Sequence, residues 1–138
     1  MLTISNKSRY GLKATMALAE SQGSGLMQTK DIAARQDIPL QFLEQIFNQL
    51  RKANIIQSVR GKYGGYKLAR PANEITASEI IALLEGGIDF SLDPNDSLDV
   101  TNDLFRSAEK KIFEVFAVTL ADLADRQKQL RNTLTYHI

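Results

Sequence analysis

The 138 residues suffice for one compact domain of common size, or for a small domain with an appendage. With 43% hydrophobic and 24% charged residues, no apolar run near the ~20 residues that cross a bilayer, and no signal-like start at Met1 to Lys7, a globular cytoplasmic protein without a membrane partner is expected. Cysteine is absent, which removes disulfides and thiolate metal sites, and the single histidine, His137, cannot by itself build a metal site or a Cys/His or Ser/His/Asp catalytic centre, so no enzyme, metal or cofactor is expected.

The net charge of +1 hides an asymmetry: residues 1–75 hold eleven Lys/Arg against five Asp/Glu, whereas residues 76–138 hold six against eleven. A basic first half points to a polyanionic partner for that half.

In chain order, residues 6–20 predict a helix in which Tyr10, Ala14, Ala17 and Leu18 form an apolar stripe, with Leu12 and Met16 beside it. Gly11 weakens that helix by about 1 kcal/mol relative to alanine. Lys7 and Arg9 stand in its opening turn, where free amides and cations can meet a phosphate. After a Gly/Ser loop, Thr29 reads as the N-cap of a short helix over 30–35 that turns Ile32 and Ala33 inward. Asp37-Ile38-Pro39 interrupts the pattern, and Pro39 suits the entry of the next helix, where a missing N–H costs nothing. That helix carries Leu40, Leu43, Ile46, Phe47 and Leu50 at spacings of three and four, leaves Gln41, Glu44, Gln45 and Asn48 on another face, and ends at Arg51 and Lys52.

Residues 55–68 predict two short strands around a glycine-rich tip from which Arg60 and Lys62 project. A helix-turn-helix followed by a basic hairpin is a winged helix-turn-helix, so the expected fold class is mainly α with a small two-stranded wing. Thr76-Ala77-Ser78-Glu79 is a capping box for a helix through Leu84, closed by Gly86-Gly87. Asp93, Asn95 and Ser97 alternate as in a calcium loop, but Leu98 and Leu104 stand where glycine and glutamate belong, which excludes an EF-hand. A longer helix follows over 101–118, with Leu104, Phe105, Ala108, Ile112, Val115 and Phe116 along one wide apolar side. Thr119 then caps a short helical start, and residues 126–138 read as a polar tail. The expected organisation is a DNA-binding domain over 1–86, a flexible acidic loop over 87–100, and a dimerisation helix with its tail over 101–138.

Tyr10-Gly11-Leu12, Leu43-Glu44-Gln45, Val59-Arg60-Gly61, Gly64-Gly65-Tyr66, Leu68-Ala69-Arg70-Pro71, Leu84-Glu85-Gly86 and Thr119-Leu120-Ala121-Asp122-Leu123 occur in collinear order. Through them the chain resembles the Rrf2 family of bacterial winged-helix transcription regulators. The resemblance implies a homodimer on double-stranded DNA, held together by the long C-terminal helix, and a role for Glu44 and Arg60 in recognition. Several family members hold an iron–sulfur cluster on three cysteines, and the corresponding stretch, residues 87–99, has none. Lys7, Arg9, Thr29, Arg51, Lys52, Arg60 and Lys62 are expected at phosphates or sugars, Gln41, Glu44, Gln45 and Asn48 at base edges, and Tyr66 with them in the wing. A carboxylate facing DNA is repelled by phosphates, so Glu44 belongs there as an acceptor from cytosine N4; the alternative is an intrahelical pair with Asn48 or Lys52.

Pro39, Gln41 and Lys62-Tyr63 depart from the commoner family pattern, so base preference and wing tip are expected to differ. The wing and the terminal isoleucine are also similar to those of cluster-free members that repress cysteine metabolism together with cysteine synthase. Tyr136-His137-Ile138 is accordingly a candidate partner-binding tail; the alternative is a frayed terminus. A module that uses the winged helix and the tail to bind a metabolic enzyme is the other functional reading, against which the basic first half argues.

Overall fold

Ser5 sets the start of the first helix in the computed structural model, which describes residues 2–22, 25–87, 90 and 98–136. Its side chain accepts from the Ser8 amide at 3.2 Å and opens α1 (Asn6–Glu20). Ala14, Ala17 and Leu18 are buried along the predicted stripe, and Tyr10 is half-buried beside them. The second helix, α2 (Thr29–Gln36), begins one residue before the sequence reading: Gln28 occupies the cap and Thr29 is the first helical residue. The cap position needs extended backbone, and here Gln28 has it, at φ −82° and ψ 148°.

Asp37, in the left-handed region, turns the chain into α3 (Leu40–Lys52). Leu43, Ile46, Phe47 and Leu50 are fully buried there, whereas Leu40 is 43% exposed, contrary to its expected inward place. As the first residue of the helix it lies past the edge of the core. The wing is β1 (Ile56–Val59) paired antiparallel with β2 (Gly65–Leu68), in register from Ile56 opposite Leu68 to Val59 opposite Gly65. Met27 adds a bridge on the other side of β2, its amide donating to the Tyr66 carbonyl at 3.1 Å and its carbonyl accepting from the Tyr66 amide at 2.7 Å. Backbone crowding explains the paired glycines of the wing. A Cβ on Gly64 would run into the Val59 carbonyl oxygen, and one on Gly65 would stand 2.6 Å from that of Met27.

A single 3-10 turn (Ala72–Glu74) leads to α4 (Ala77–Glu85), capped by Thr76, whose hydroxyl accepts from the Glu79 amide at 3.2 Å. The Glu79 carboxylate accepts from Arg70, and Gly86, at φ 81°, ends the helix as expected. The Gly11 that weakens α1 now has a reason: a Cβ there would collide with the Leu84 side chain, so glycine lets α4 lie close against α1.

Beyond residue 98 the chain forms two helices of 17 residues each, α5 (Val100–Phe116) and α6 (Leu120–Tyr136). The second corrects the reading of 126–138 as a tail. Thr119 and Asp122 cap it reciprocally, with Asp122 N donating to Thr119 Oγ1 at 3.1 Å and Thr119 N to Asp122 Oδ2 at 3.4 Å. Arg131 then clasps the Glu20 carboxylate with both terminal nitrogens, at 2.6 and 3.3 Å. Both ends are anchored by polar contacts that apolar periodicity does not register. An antiparallel bridge between Thr76 and Thr119 joins the starts of α4 and α6 and seats Leu120, fully buried, in the core with Leu18, Phe47, Leu50 and Ile75.

On α5, Leu104, Phe105 and Val115 are 64, 50 and 70% exposed, and Ala108, Ile112 and Phe116 are half-buried. Most of the expected loop over 87–100 lies outside the described residues, as do His137, Ile138 and the Tyr136 side chain. Among the described residues no helix is long and apolar enough to cross a membrane.

Candidate nucleic-acid interface

Because the apolar stripe of α3 takes one side of the helix into the core, Gln41, Glu44, Gln45, Asn48 and Arg51 are left exposed on the other. The wing rises beside that face. Ser58 and Tyr66 pair across the two strands, and Arg60 follows β1. With Thr29 at the start of α2, these residues line one open groove between helix and wing. The groove thus gathers Thr29, Gln41, Glu44, Gln45, Asn48, Arg51, Arg60 and Tyr66 from three separate stretches of sequence.

Tyr66 stands at the junction of groove and core. Its half-buried ring packs on Phe47 with centroids 4.7 Å apart and planes tilted by 59°, so the wing is held at a set distance from α3. Among the described residues Glu44 makes no ion pair. Asn48 is engaged elsewhere: Arg51 Nη2 donates to its Oδ1 at 2.8 Å. An exposed carboxylate beside two arginines gives the groove an acceptor flanked by donors, a pattern suited to base edges and phosphates.

Other expected residues stand apart from the groove. Lys62 is exposed on the wing tip, its Nζ 5.6 Å from the Tyr63 ring centroid, and Lys52 is exposed at the end of α3. Arg9 Nε donates to the Ile4 carbonyl at 3.5 Å, and its side chain lines a separate, more apolar hollow with Tyr10, Leu12, Met16 and Leu123. Lys7, half-buried in the opening turn of α1, lies close to Glu85.

Ser58 lines the groove and escaped the sequence reading; the signal was its place two residues before Arg60 in an extended segment, which puts both on one side. A second polar centre was not legible at all. Glu85 Oε1 accepts from the Ser5 amide at 2.8 Å, the Ser5 hydroxyl at 2.7 Å and the Ser8 hydroxyl at 2.7 Å. The Ser5 hydroxyl, then the Ser8 hydroxyl and the Ser5 amide, hold this carboxyl below the usual range, with Lys7 adding a smaller attraction. Among the described residues no group of three His, Cys, Asp or Glu side chains could hold a metal ion.

The profile of the family described as "Rrf2: Iron-dependent Transcriptional regulator" matches residues 4–126. The chain is 45% identical over 86 residues to the HTH-type transcriptional regulator IscR of Cereibacter sphaeroides, covering 61% of this chain and 56% of that relative. To the HTH-type transcriptional regulator CymR of Bacillus subtilis it is 37% identical over 126 residues, covering 89% of this chain and 90% of CymR. The solved structure of CymR (YrzC), the global cysteine regulator of B. subtilis, superposes with a TM-score of 0.84 at 38% identity, covering 91% of this chain and 98% of that one. An IscR structure from T. potens gives 0.81 at 38% identity, over 94% and 90%. The expected winged helix-turn-helix is the fold of these relatives.

Proposed function

This chain belongs to the Rrf2 family of transcriptional regulators, and we propose that it acts as a homodimeric repressor that binds a palindromic operator in double-stranded DNA. The observation that carries the reading is the groove between α3 and the wing, where acceptors and donors from Gln41 to Arg51 face Ser58, Arg60 and Tyr66. An α-helix fits the major groove of B-DNA. With α3 there, the phosphate strand beside it runs along the wing, where Thr29, Ser58, Tyr66 and Arg60 meet it, and Arg60 neutralises charge whose loss of counterions makes binding salt-dependent. Gln41, Gln45 and Glu44 read base edges, Glu44 by accepting from cytosine N4. Lys7, Arg9, Lys52 and Lys62 act outside this groove, as contacts to the flanking backbone.

The family description names iron, and the donor set of this chain does not fit a thiolate-held cluster: the sequence has no cysteine. The regulator accordingly works without one. Similarity to the global cysteine regulator over nearly its whole length supports a link to sulfur metabolism. Cysteine synthase, as a cytoplasmic partner for Tyr136, His137 and Ile138, is the further part of this proposal.

Selection of genomic fragments by the purified protein against excess nonspecific DNA tests the reading. Enrichment of a two-fold-symmetric sequence whose affinity falls steeply with salt is expected, and Glu44→Ala should relax the consensus at one position in each half-site. Sequence-independent binding alone would overturn it.

A further inference from the structure

We infer that Arg51 is a specificity-determining residue that reads a guanine, and that Asn48 is the positioning residue that holds it to that task. The inference rests on the DNA-binding reading above and deepens it. An asparagine that reads adenine needs both halves of its amide, the nitrogen for N7 and the oxygen for the N6 amino group. In this protein Asn48 Oδ1 already accepts from Arg51 Nη2 at 2.8 Å. That bond takes one of the two lone pairs of Asn48 Oδ1 and turns the oxygen toward Arg51, so the pair meets the groove chiefly with N–H donors, from the remaining guanidinium nitrogens and the Asn48 amide. The major-groove edge made of acceptors alone is guanine N7 and O6, and arginine matches it with two parallel bonds.

Direction supports base reading over phosphate contact. Residues three apart are neighbours on a helix surface, and side chains lean toward its N-terminus. The bond to Asn48 draws the guanidinium back over the turn that carries Glu44 and Asn48, all three lining the same groove. From Glu44 to Arg51 is seven residues, about 10.5 Å along the axis, or roughly three base-pair rises. The structure assigns α3 an acceptor at one end of this strip, for cytosine, and a donor unit at the other, for guanine, within about three base pairs.

The test compares wild type, Arg51→Ala, Asn48→Ala, Asn48→Asp and the double alanine variant by in vitro selection from a random duplex library, with affinity for an unrelated duplex measured alongside. Arg51→Ala should erase a guanine preference at one position of each half-site, a loss of roughly tenfold or more in discrimination. Asn48→Ala should weaken the same preference at the same position, and the double variant should be no worse than Arg51→Ala. Asn48→Asp keeps the acceptor and should keep the guanine, while binding every duplex more weakly because it adds a negative charge. Binding of the unrelated duplex by the alanine variants shows that they are folded. If Arg51→Ala weakens all sequences equally and lowers the salt slope by about one, it is a phosphate contact and the inference falls. An unchanged guanine preference in Asn48→Ala would remove the positioning role. If wild type selects no sequence, this inference and the DNA-binding reading fall together; if wild type selects a sequence and the variants match it, the inference alone falls.

Discussion

Three donors on one carboxylate oxygen make Glu85 a residue whose protonation weakens the fold at low pH. Its folded-state value is lowered below the ordinary 4.5, so its stabilisation is fully present above the unfolded value and is lost as the pH falls through the folded one. Glu85→Gln should cost on the order of 1 kcal/mol at neutral pH, a figure discounted for the solvent around the carboxyl. The variant should approach wild type in urea stability well below 4.5, and a difference that stays the same at every pH would sink the assignment. Ser5 and Glu85 are eighty residues apart, so no spacing could join them. Glu44 and Arg60 were legible because an exposed helix face and a turn tip are local patterns. Arg51 was legible as a cation and not as a partner of Asn48, because which rotamer an exposed arginine adopts is not written in the order of residues.

Among the elements, α3 and the wing follow directly from period and glycine placement, and α6 does not. Past its first turn it is mostly polar, and it is held by buried Leu120, the Thr119–Asp122 cap and the Arg131–Glu20 clasp. The neighbouring α5 presents the opposite case, an apolar side with too little to cover it: Val100, Leu104, Phe105 and Val115 are all at least half exposed. Exposed apolar surface of this extent is costly in water and suits the proposed homodimer. Phe105→Glu and Val115→Glu should each raise the dimer dissociation constant by roughly tenfold or more while leaving the helical circular dichroism unchanged. Sedimentation showing unchanged mass for both variants across dilution would place the dimer contact elsewhere or remove it.

At the scale of the whole molecule, the basic half of the sequence contains α1, α2, α3 and the wing, and the acidic half contains α4, α5 and α6. The basic stretch is the one that carries the proposed DNA groove, as a polyanionic partner requires. Removing residues 136–138 should abolish saturable binding of cysteine synthase in a calorimetric titration while operator affinity stays within about twofold, a change too small to count as a lost contact. Equal binding by the shortened chain would dispose of the tail as the contact.

What the sequence determined by itself was carried by neighbours in the chain: the spacing of Leu43, Ile46, Phe47 and Leu50, the glycines at the wing, the basic first half, and the cysteine content that leaves a thiolate cluster no ligands. Each is a local periodicity, a turn propensity or a count, and needs no partner to be read. Only folding brings Thr29, Gln41, Glu44, Gln45, Asn48, Arg51, Arg60 and Tyr66 into one groove, adds Ser58 to them and leaves Lys7, Arg9, Lys52 and Lys62 outside it. It also seats Leu120 in the core of the helices before it. The reason is that the groove exists only where α2, α3 and the wing are brought together. Burial of Phe47 beneath Tyr66 and the Met27 bridge to β2 set that approach, and both join residues far apart in the chain.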